Sequence, residues 1–197
     1  TVHDLIVEQL KKRLPKIKIG DPMNPETEVG PLIHRTHWEN VTRYIEIARE
    51  EGAEVVSAPV PEQFRKGNFV APTLLLNCHN KMRVAQEEIF GPVMAVIPFK
   101  TEEEALELAN DVKYGLAAYV WTNDIKRALK LAQSVDSGMV WVNSQNVRDL
   151  RIPFGGSKAS GIGREGGHYS FEFYTETQVI HVALNEQHIP KFGKHPD

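Results

Sequence analysis

The feature that most limits what this chain can fold into is the run of alternating elements between residues 92 and 143. "PVMAVIPF" is an apolar stretch of strand length, and Thr101 with Glu104 spells a capping box that opens a helix through "ALELANDV". "LAAYVWT" reads as a second strand, "DIKRALKLAQSV" as a second helix and "GMVWVN" as a third strand. Strands alternating with helices at these spacings are joined by right-handed crossovers, which makes the strands parallel. The expected class is α/β with a parallel sheet. Ligands on such sheets bind beyond the carboxyl ends of the strands. The third strand leaves at that kind of end into "NSQNVRDLRIPFGGSKASGIGREGG", and loops of this length inside compact domains are usually functional.

The flanking sequence is less regular. "TVHDLIVEQLKKRL" has a helical pattern, with Val2, Leu5, Ile6 and Leu10 on one face, and it begins without an initiator methionine. Asp-Pro and Asn-Pro steps in "GDPMNPETEVGP" favour turns. "RTHWENVTRYIEIAREEGAEVV" reads as an amphipathic helix with Trp38, Val41, Ile45 and Ala48 inward and Gly52 as its stop. "NFVAPTLLL" is expected to be extended, its proline arguing for an edge or irregular strand. "TQVIHVAL" is a short β-branched strand followed by a polar tail.

Composition excludes several classes. With 23 basic and 26 acidic residues the net charge is 23 − 26 = −3, and no basic stripe interleaved with aromatics marks a nucleic-acid partner. The longest apolar run, Val93 to Phe99, is far too short to span a membrane. The single cysteine, Cys78, permits no internal disulfide, and a reducing cytoplasm is the expected compartment. The eight histidines are scattered without metal-ligand spacing.

Four motifs invite a chemical reading. Gly161, Gly163 and Gly166 spell G-x-G-x-x-G with Glu186 downstream, but polar "GGSKAS" stands where a dinucleotide fold needs a buried strand. Cys78 and His79 are adjacent, so in an extended segment they point to opposite faces and pair poorly as nucleophile and base. Glu87 and Glu88 run into Phe90, Gly91 and Pro92 just before the first strand. An acid pair there is ordinarily solvated, though it can also hold a ligand. Arg148 and Arg151 flank Asp149 on the post-strand loop, where an exposed ion pair ordinarily contributes little.

Together, "QEEIFGPV" and "PFGGSKASGIGRE" resemble the aldehyde dehydrogenase superfamily, as do the stretch between them and the earlier "GDPMNPETEVGPLI". The likeness covers nearly the whole chain. The loop "NSQNVRDLRIPFGG" and the ending "HYSFEFYTETQVIHVAL" are most similar to the semialdehyde dehydrogenases of aromatic-acid breakdown. The resemblance implies the C-terminal portion of an enzyme whose Rossmann cofactor domain lies upstream. Residues 1–156 would be the C-terminal part of a parallel-sheet catalytic domain. Residues 157–175 would be a glycine-rich loop and short helix, 176–185 an oligomerisation strand building a homodimer or homotetramer, and 186–197 a tail.

The implied reaction is NAD- or NADP-dependent oxidation of a carboxylated semialdehyde to the acid, through a thioester. Family members place the nucleophile in a G-Q-x-C type motif and the general base in an E-L-G-G-K type motif. Neither motif occurs here, so no catalytic residue is assigned and the chain alone is expected to be inactive. By resemblance, Glu88 would bind the nicotinamide-side ribose, a task suited to an acceptor-only carboxylate. Phe90 would lie against the nicotinamide, Phe154 would line the aldehyde tunnel, and Arg148 or Arg151 would meet a substrate carboxylate. Trp38 and His37 align with weaker nucleotide-side contacts, His37 departing from the usual residue. The alternatives are a relative acting on uncharged aldehydes and a non-catalytic assembly module.

Overall fold

The computed structural model describes residues 2–187 and Gly193. Helix α1 (Val2–Arg13) carries Asp4 in its first turn and Lys11, Lys12 and Arg13 in its last, charges that complement the helix dipole. Its expected apolar face is not the buried one. Val2, Leu5 and Ile6 are exposed, whereas Val7 joins Leu14, Leu74 and Leu76 in the core, with Leu10 packed against them. The helix offers two apolar stripes, and the neighbouring sheet covers the one through Val7, Leu10 and Leu14.

Helix α2 (Arg35–Glu50) is built as its pattern predicts. The His34 side chain caps it by accepting from the His37 N–H, and Val41, Ile45 and Ala48 are buried. It ends at Glu51, after which Gly52 takes a φ of +93°, a conformation cheap only for glycine. The chain then forms β1 (Glu54–Ser57), β2 (Thr73–Leu76), a short helix α3 (Arg83–Gln86) and β3 (Val93–Ala95). These strands make one sheet in the order β1-β2-β3, antiparallel across the first pair and parallel across the second. β2 is its central strand and is buried at all four residues, not the edge strand its proline suggested. Pro72 stands just before the strand, where its carbonyl accepts from Ala58 N–H at 2.9 Å, so its missing N–H breaks no ladder bond.

The second half follows the alternation: α4 (Glu102–Asn110), β4 (Tyr114–Gly115), β5 (Ala117–Val120), α5 (Ile125–Ser134) and β6 (Met139–Val142). Thr101 caps α4 by accepting from Glu104 N–H at 3.1 Å, and Glu104 answers by accepting from Lys100 N–H at 2.7 Å. Asp124 caps α5 through the N–H groups of Lys126 and Arg127. β5 and β6 pair in parallel across α5, as expected. The single sheet expected from the alternation is divided: β3 pairs with β2 in a three-stranded sheet, and β5 and β6 form a separate two-stranded one. Alternation specifies the sense of a crossover; it does not specify which strand becomes the hydrogen-bonded neighbour.

The long loop after β6 returns as β7 (Ser157–Lys158), antiparallel to β4, and leads to α6 (Tyr169–Tyr174). Gly155 runs so close to β6 that a Cβ at Gly138 would sit 1.8 Å from its carbonyl oxygen. The expected strand "TQVIHVAL" does not form: residues 177–184 carry no strand, and Val179, Ile180, Val182 and Leu184 are exposed, because the segment has no neighbouring strand among the described residues to complete a ladder. Of the expected tail, only residues 186, 187 and 193 are described; the others lie outside the described residues. No described helix is long and apolar enough to cross a membrane.

Leu75 is fully buried in β2 and belongs to the cluster with Ala48, Cys78 and Val84. Leu75→Ala is expected to destabilise the fold by about 2–5 kcal/mol, whereas Leu5→Ala on the outer face of α1 should change it by less than about 0.5 kcal/mol. Urea unfolding midpoints of the two variants check this; equal shifts would mean the core is elsewhere.

Candidate functional site

The chain leaves α3 through an extended Glu87 and turns between there and Pro92, and its two acids part company. Arg83 donates to Glu87 from both Nε, to Oε1 at 3.1 Å, and Nη2, to Oε2 at 2.9 Å. The Tyr44 hydroxyl donates to Oε2 at 2.6 Å from helix α2. Those donors, Arg83 first and Tyr44 second, hold the Glu87 carboxyl at about 2, and donation to the carboxylate raises the Tyr44 phenol above its ordinary 10.0. Arg83 is itself positioned, since its backbone N–H donates to the Glu51 carboxylate at 3.0 Å. Glu87 is thus a structural anchor, not the solvated acid its sequence context suggests. Glu88 is exposed and has no hydrogen-bond partner among the described residues.

Phe90 lies at φ +51°, in the left-handed region a bulky residue rarely enters, and is 74% exposed. The His37 ring holds it there, Nε2 lying 2.7 Å from the Phe90 carbonyl oxygen. A carbonyl can only accept, so Nε2 carries the proton. Gly91 then passes so near α2 that a Cβ would meet Val41 Cγ1 at 2.8 Å. A groove of about 570 Å³ follows, lined by His34, His37, Tyr44, Arg83, Glu88 and Phe90.

The second cluster lies beyond the carboxyl end of β6. Asn143, at φ +50°, clasps the end of β5 by accepting from Thr122 N–H at 2.9 Å and donating to its carbonyl at 2.8 Å. Trp141 stacks on Tyr119 with ring centres 5.3 Å apart and donates through Nε1 to the Val147 carbonyl at 2.8 Å. That contact starts the loop that carries Arg148. The two arginines are then used differently. Arg151 forks onto Asp149, from Nε to Oδ1 at 2.8 Å and from Nη2 to Oδ2 at 2.5 Å, which pulls the Asp149 carboxyl below its usual range. Arg148 lies 3.9 Å from the centre of the Phe154 ring and has no carboxylate partner among the described residues. Phe154 is fixed by an exchange of backbone bonds with Glu165 at 2.7 and 2.8 Å.

The clusters adjoin. Glu88 lines a cavity of about 670 Å³ with Leu116 and Ser160, and those same two residues line a cavity of about 200 Å³ with Phe154. Cys78 stays outside both. It is 2% exposed, its thiol is pushed up by burial, and Sγ donates to the Leu75 carbonyl at 3.4 Å. Gly161, Gly163 and Gly166 follow no full-length strand and precede only the six-residue α6, so they form no dinucleotide cradle. No group of three or more potential metal ligands occurs among the described residues. Sequence reasoning missed Tyr44 and Arg83; the i, i+4 spacing of Arg83 and Glu87 was the available signal.

Residues 1–180 match the aldehyde dehydrogenase family, and the chain belongs to that family. It is 52% identical over 165 residues to 5-carboxymethyl-2-hydroxymuconate semialdehyde dehydrogenase of Escherichia coli, covering 81% of this chain and 35% of that protein. It is similar to the crystal structure of HpcC from Thermus thermophilus, at 48% identity and a TM-score of 0.90 over 98% of this chain and 39% of that one. An NAD+ complex of aldehyde dehydrogenase from Bacillus cereus matches at 41% identity and a TM-score of 0.87, over 93% of this chain and 37% of that one. The chain therefore spans between about a third and two fifths of these relatives.

The Glu87 anchor has a pH signature. Because its pKa in the fold lies below the ordinary 4.5, its contribution to stability is present above about 4.5 and is lost as pH falls through about 2. A carbon-13 NMR titration should place the Glu87 carboxyl midpoint near about 2, and Arg83→Met should move it back up toward 4.5. A wild-type midpoint at the ordinary value would show that Arg83 and Tyr44 do not hold it.

Proposed function

We propose that this chain is the C-terminal catalytic-domain portion of an NAD- or NADP-dependent dehydrogenase that oxidises a carboxylated semialdehyde to the acid. The reaction runs through a thioester whose cysteine nucleophile and glutamate base lie upstream of residue 1. One pattern carries the reading: in each charge cluster one member is bound to protein and the other is left for a ligand. Glu87 belongs to Arg83 and Tyr44 while Glu88 is unpartnered among the described residues, and Arg151 belongs to Asp149 while Arg148 faces Phe154.

NAD or NADP held in this groove would supply the hydride acceptor for oxidation of the aldehyde carbon. In this reading Glu88 accepts hydrogen bonds from the cofactor's ribose hydroxyls, and Phe90 supplies an apolar wall that fixes the ring's approach. Arg148 meets the substrate carboxylate with a planar guanidinium that offers two parallel donors, its central carbon lying over the Phe154 ring. The Escherichia coli relative, named for a semialdehyde, supports the substrate class. Assembly into a homodimer or homotetramer through residues 177–184 is supported by the exposed Val179, Ile180, Val182 and Leu184, an apolar segment that a lone chain would leave open to aggregation.

Truncating one partner of a desolvated charge pair typically costs about 2–5 kcal/mol. In the complete enzyme, Arg148→Ala should lower kcat/KM for a carboxylated semialdehyde about 30-fold or more and spare a neutral aldehyde of similar length. Arg151→Ala should affect both little. Equal losses on the two substrates with Arg148→Ala would assign the loop a purely structural part. Light scattering at micromolar concentration should give a dimer or tetramer, with association weakened by Val182→Asp; a monomeric complete enzyme would remove the role given to the terminal segment.

A further inference from the structure

Three contacts join helix α2 to the turn between α3 and β3, and their spacing is regular. His37 holds the Phe90 carbonyl, Val41 packs where a Cβ on Gly91 would sit, and Tyr44 holds Glu87. Residues 37, 41 and 44 stand at i, i+4 and i+7, which places them on one face of the helix. Seven helical residues advance about 10 Å at ~1.5 Å each. The helix therefore touches the turn at both ends, at Glu87 and at Phe90. Glu88 and Ile89 lie in the span, so the carboxylate of Glu88 is free while the backbone on either side of it is fixed.

We infer that α2 is a positioning element for the cofactor side of the site, in which His37 and Tyr44 brace the two ends of the Glu87–Phe90 turn and so aim Glu88 and Phe90. The inference rests on the assignment of Glu88 to ribose. Neither His37 nor Tyr44 needs to touch the reacting atoms. Each acts through a group it holds: His37 through the carbonyl of a residue in a left-handed conformation, Tyr44 through the carboxylate that begins the turn. Arg83 reinforces the second end from α3, which makes Glu87 the one point where both helices meet the turn. Losing either end would let Glu88 and Phe90 sample orientations in which ribose and nicotinamide cannot both be held.

The test uses the complete enzyme and four variants besides a control. Tyr44→Phe removes only a hydroxyl. His37→Leu removes the donor, while His37→Gln returns an amide N–H close to the place of Nε2. The double variant His37→Leu/Tyr44→Phe removes both ends, and Glu88→Gln is the control for the ribose contact. NAD+ affinity is read by fluorescence quenching, and backbone exposure by hydrogen–deuterium exchange of the peptide covering residues 87–91. Tyr44→Phe and His37→Leu should each weaken NAD+ binding roughly tenfold, the loss of one hydrogen bond to a charged or fixed group, and speed exchange in that peptide. His37→Gln should restore both readings, and the KM for the aldehyde should stay within about twofold throughout, which general destabilisation would not produce. Weakened binding in Glu88→Gln, with wild-type affinity and exchange in all four brace variants, would overturn the brace. Unchanged affinity in Glu88→Gln would overturn the ribose assignment beneath it, whatever the exchange data show.

Discussion

The Glu87 carboxylate, shared between Arg83 on α3 and Tyr44 on α2, is the contact on which the rest of the candidate site depends. Three donor atoms from two residues converge on it, and it stands at the point where α3 ends and the turn begins. Its worth is not chiefly energetic. An ion pair this open to solvent contributes little to stability, because water screens it and two long side chains must be ordered to make it. What it does is remove freedom. With both oxygens occupied, the residue cannot rotate, and the following backbone inherits a direction. The next residue, Glu88, is exposed.

The same economy governs the second cluster. Asp149 occupies Arg151 through a short loop-internal fork, which leaves the neighbouring cation, Arg148, to lie over Phe154. An aromatic face attracts a guanidinium without consuming its N–H donors, since the attraction is to the ring's quadrupole. Arg148 is therefore held in place with its donors available, a state that a carboxylate partner would abolish. In both clusters the anchored charge sits beside the free one, and the anchoring makes the free one directional.

Much of this fold could be read from residue order, and the reasons are local. The cap at Thr101, the inward face of α2 and the parallel β5–α5–β6 unit depend on patterns within a few residues of one another, and the structure keeps them. What could not be read was non-local. Nothing near Val7 tells which of two apolar stripes on α1 meets the sheet, and nothing near Val93 tells that its strand neighbours Thr73–Leu76 and not Ala117–Val120. The central position of β2 was hidden because Pro72 stands one residue outside the ladder. In the site, Glu88, Phe90, Arg148, Phe154 and His37 were named from motif likeness, whereas the contacts that hold the turn, His37 to Phe90 and Tyr44 to Glu87, span 53 and 43 residues of sequence. Motifs named candidate residues; the long-range contacts around them could not be read.

Backbone strain points to the same design. Among the described residues five besides glycine adopt left-handed φ values, and three of them are Phe90 in the groove, Asn143 at the end of β6 and Lys158 in β7. Asparagine tolerates this region, so Asn143 needs little help. Phe90 and Lys158 do not, and each such residue costs on the order of 1–3 kcal/mol unless its surroundings over-determine it. Phe90 is held through its carbonyl by His37. Lys158 is held through its side chain, Nζ donating to the carbonyls of Asn110 at 2.8 Å and Val112 at 3.2 Å and pairing with Asp136 at 3.3 Å. Those carbonyls lie at the end of α4, where unpaired acceptors favour a cation. The strained residues are thus fastened from outside the turn they occupy, one by a helix face and one by a helix end. A loop fastened in that way keeps its shape when a ligand arrives, because the ordering is already complete in the protein and need not be supplied by binding.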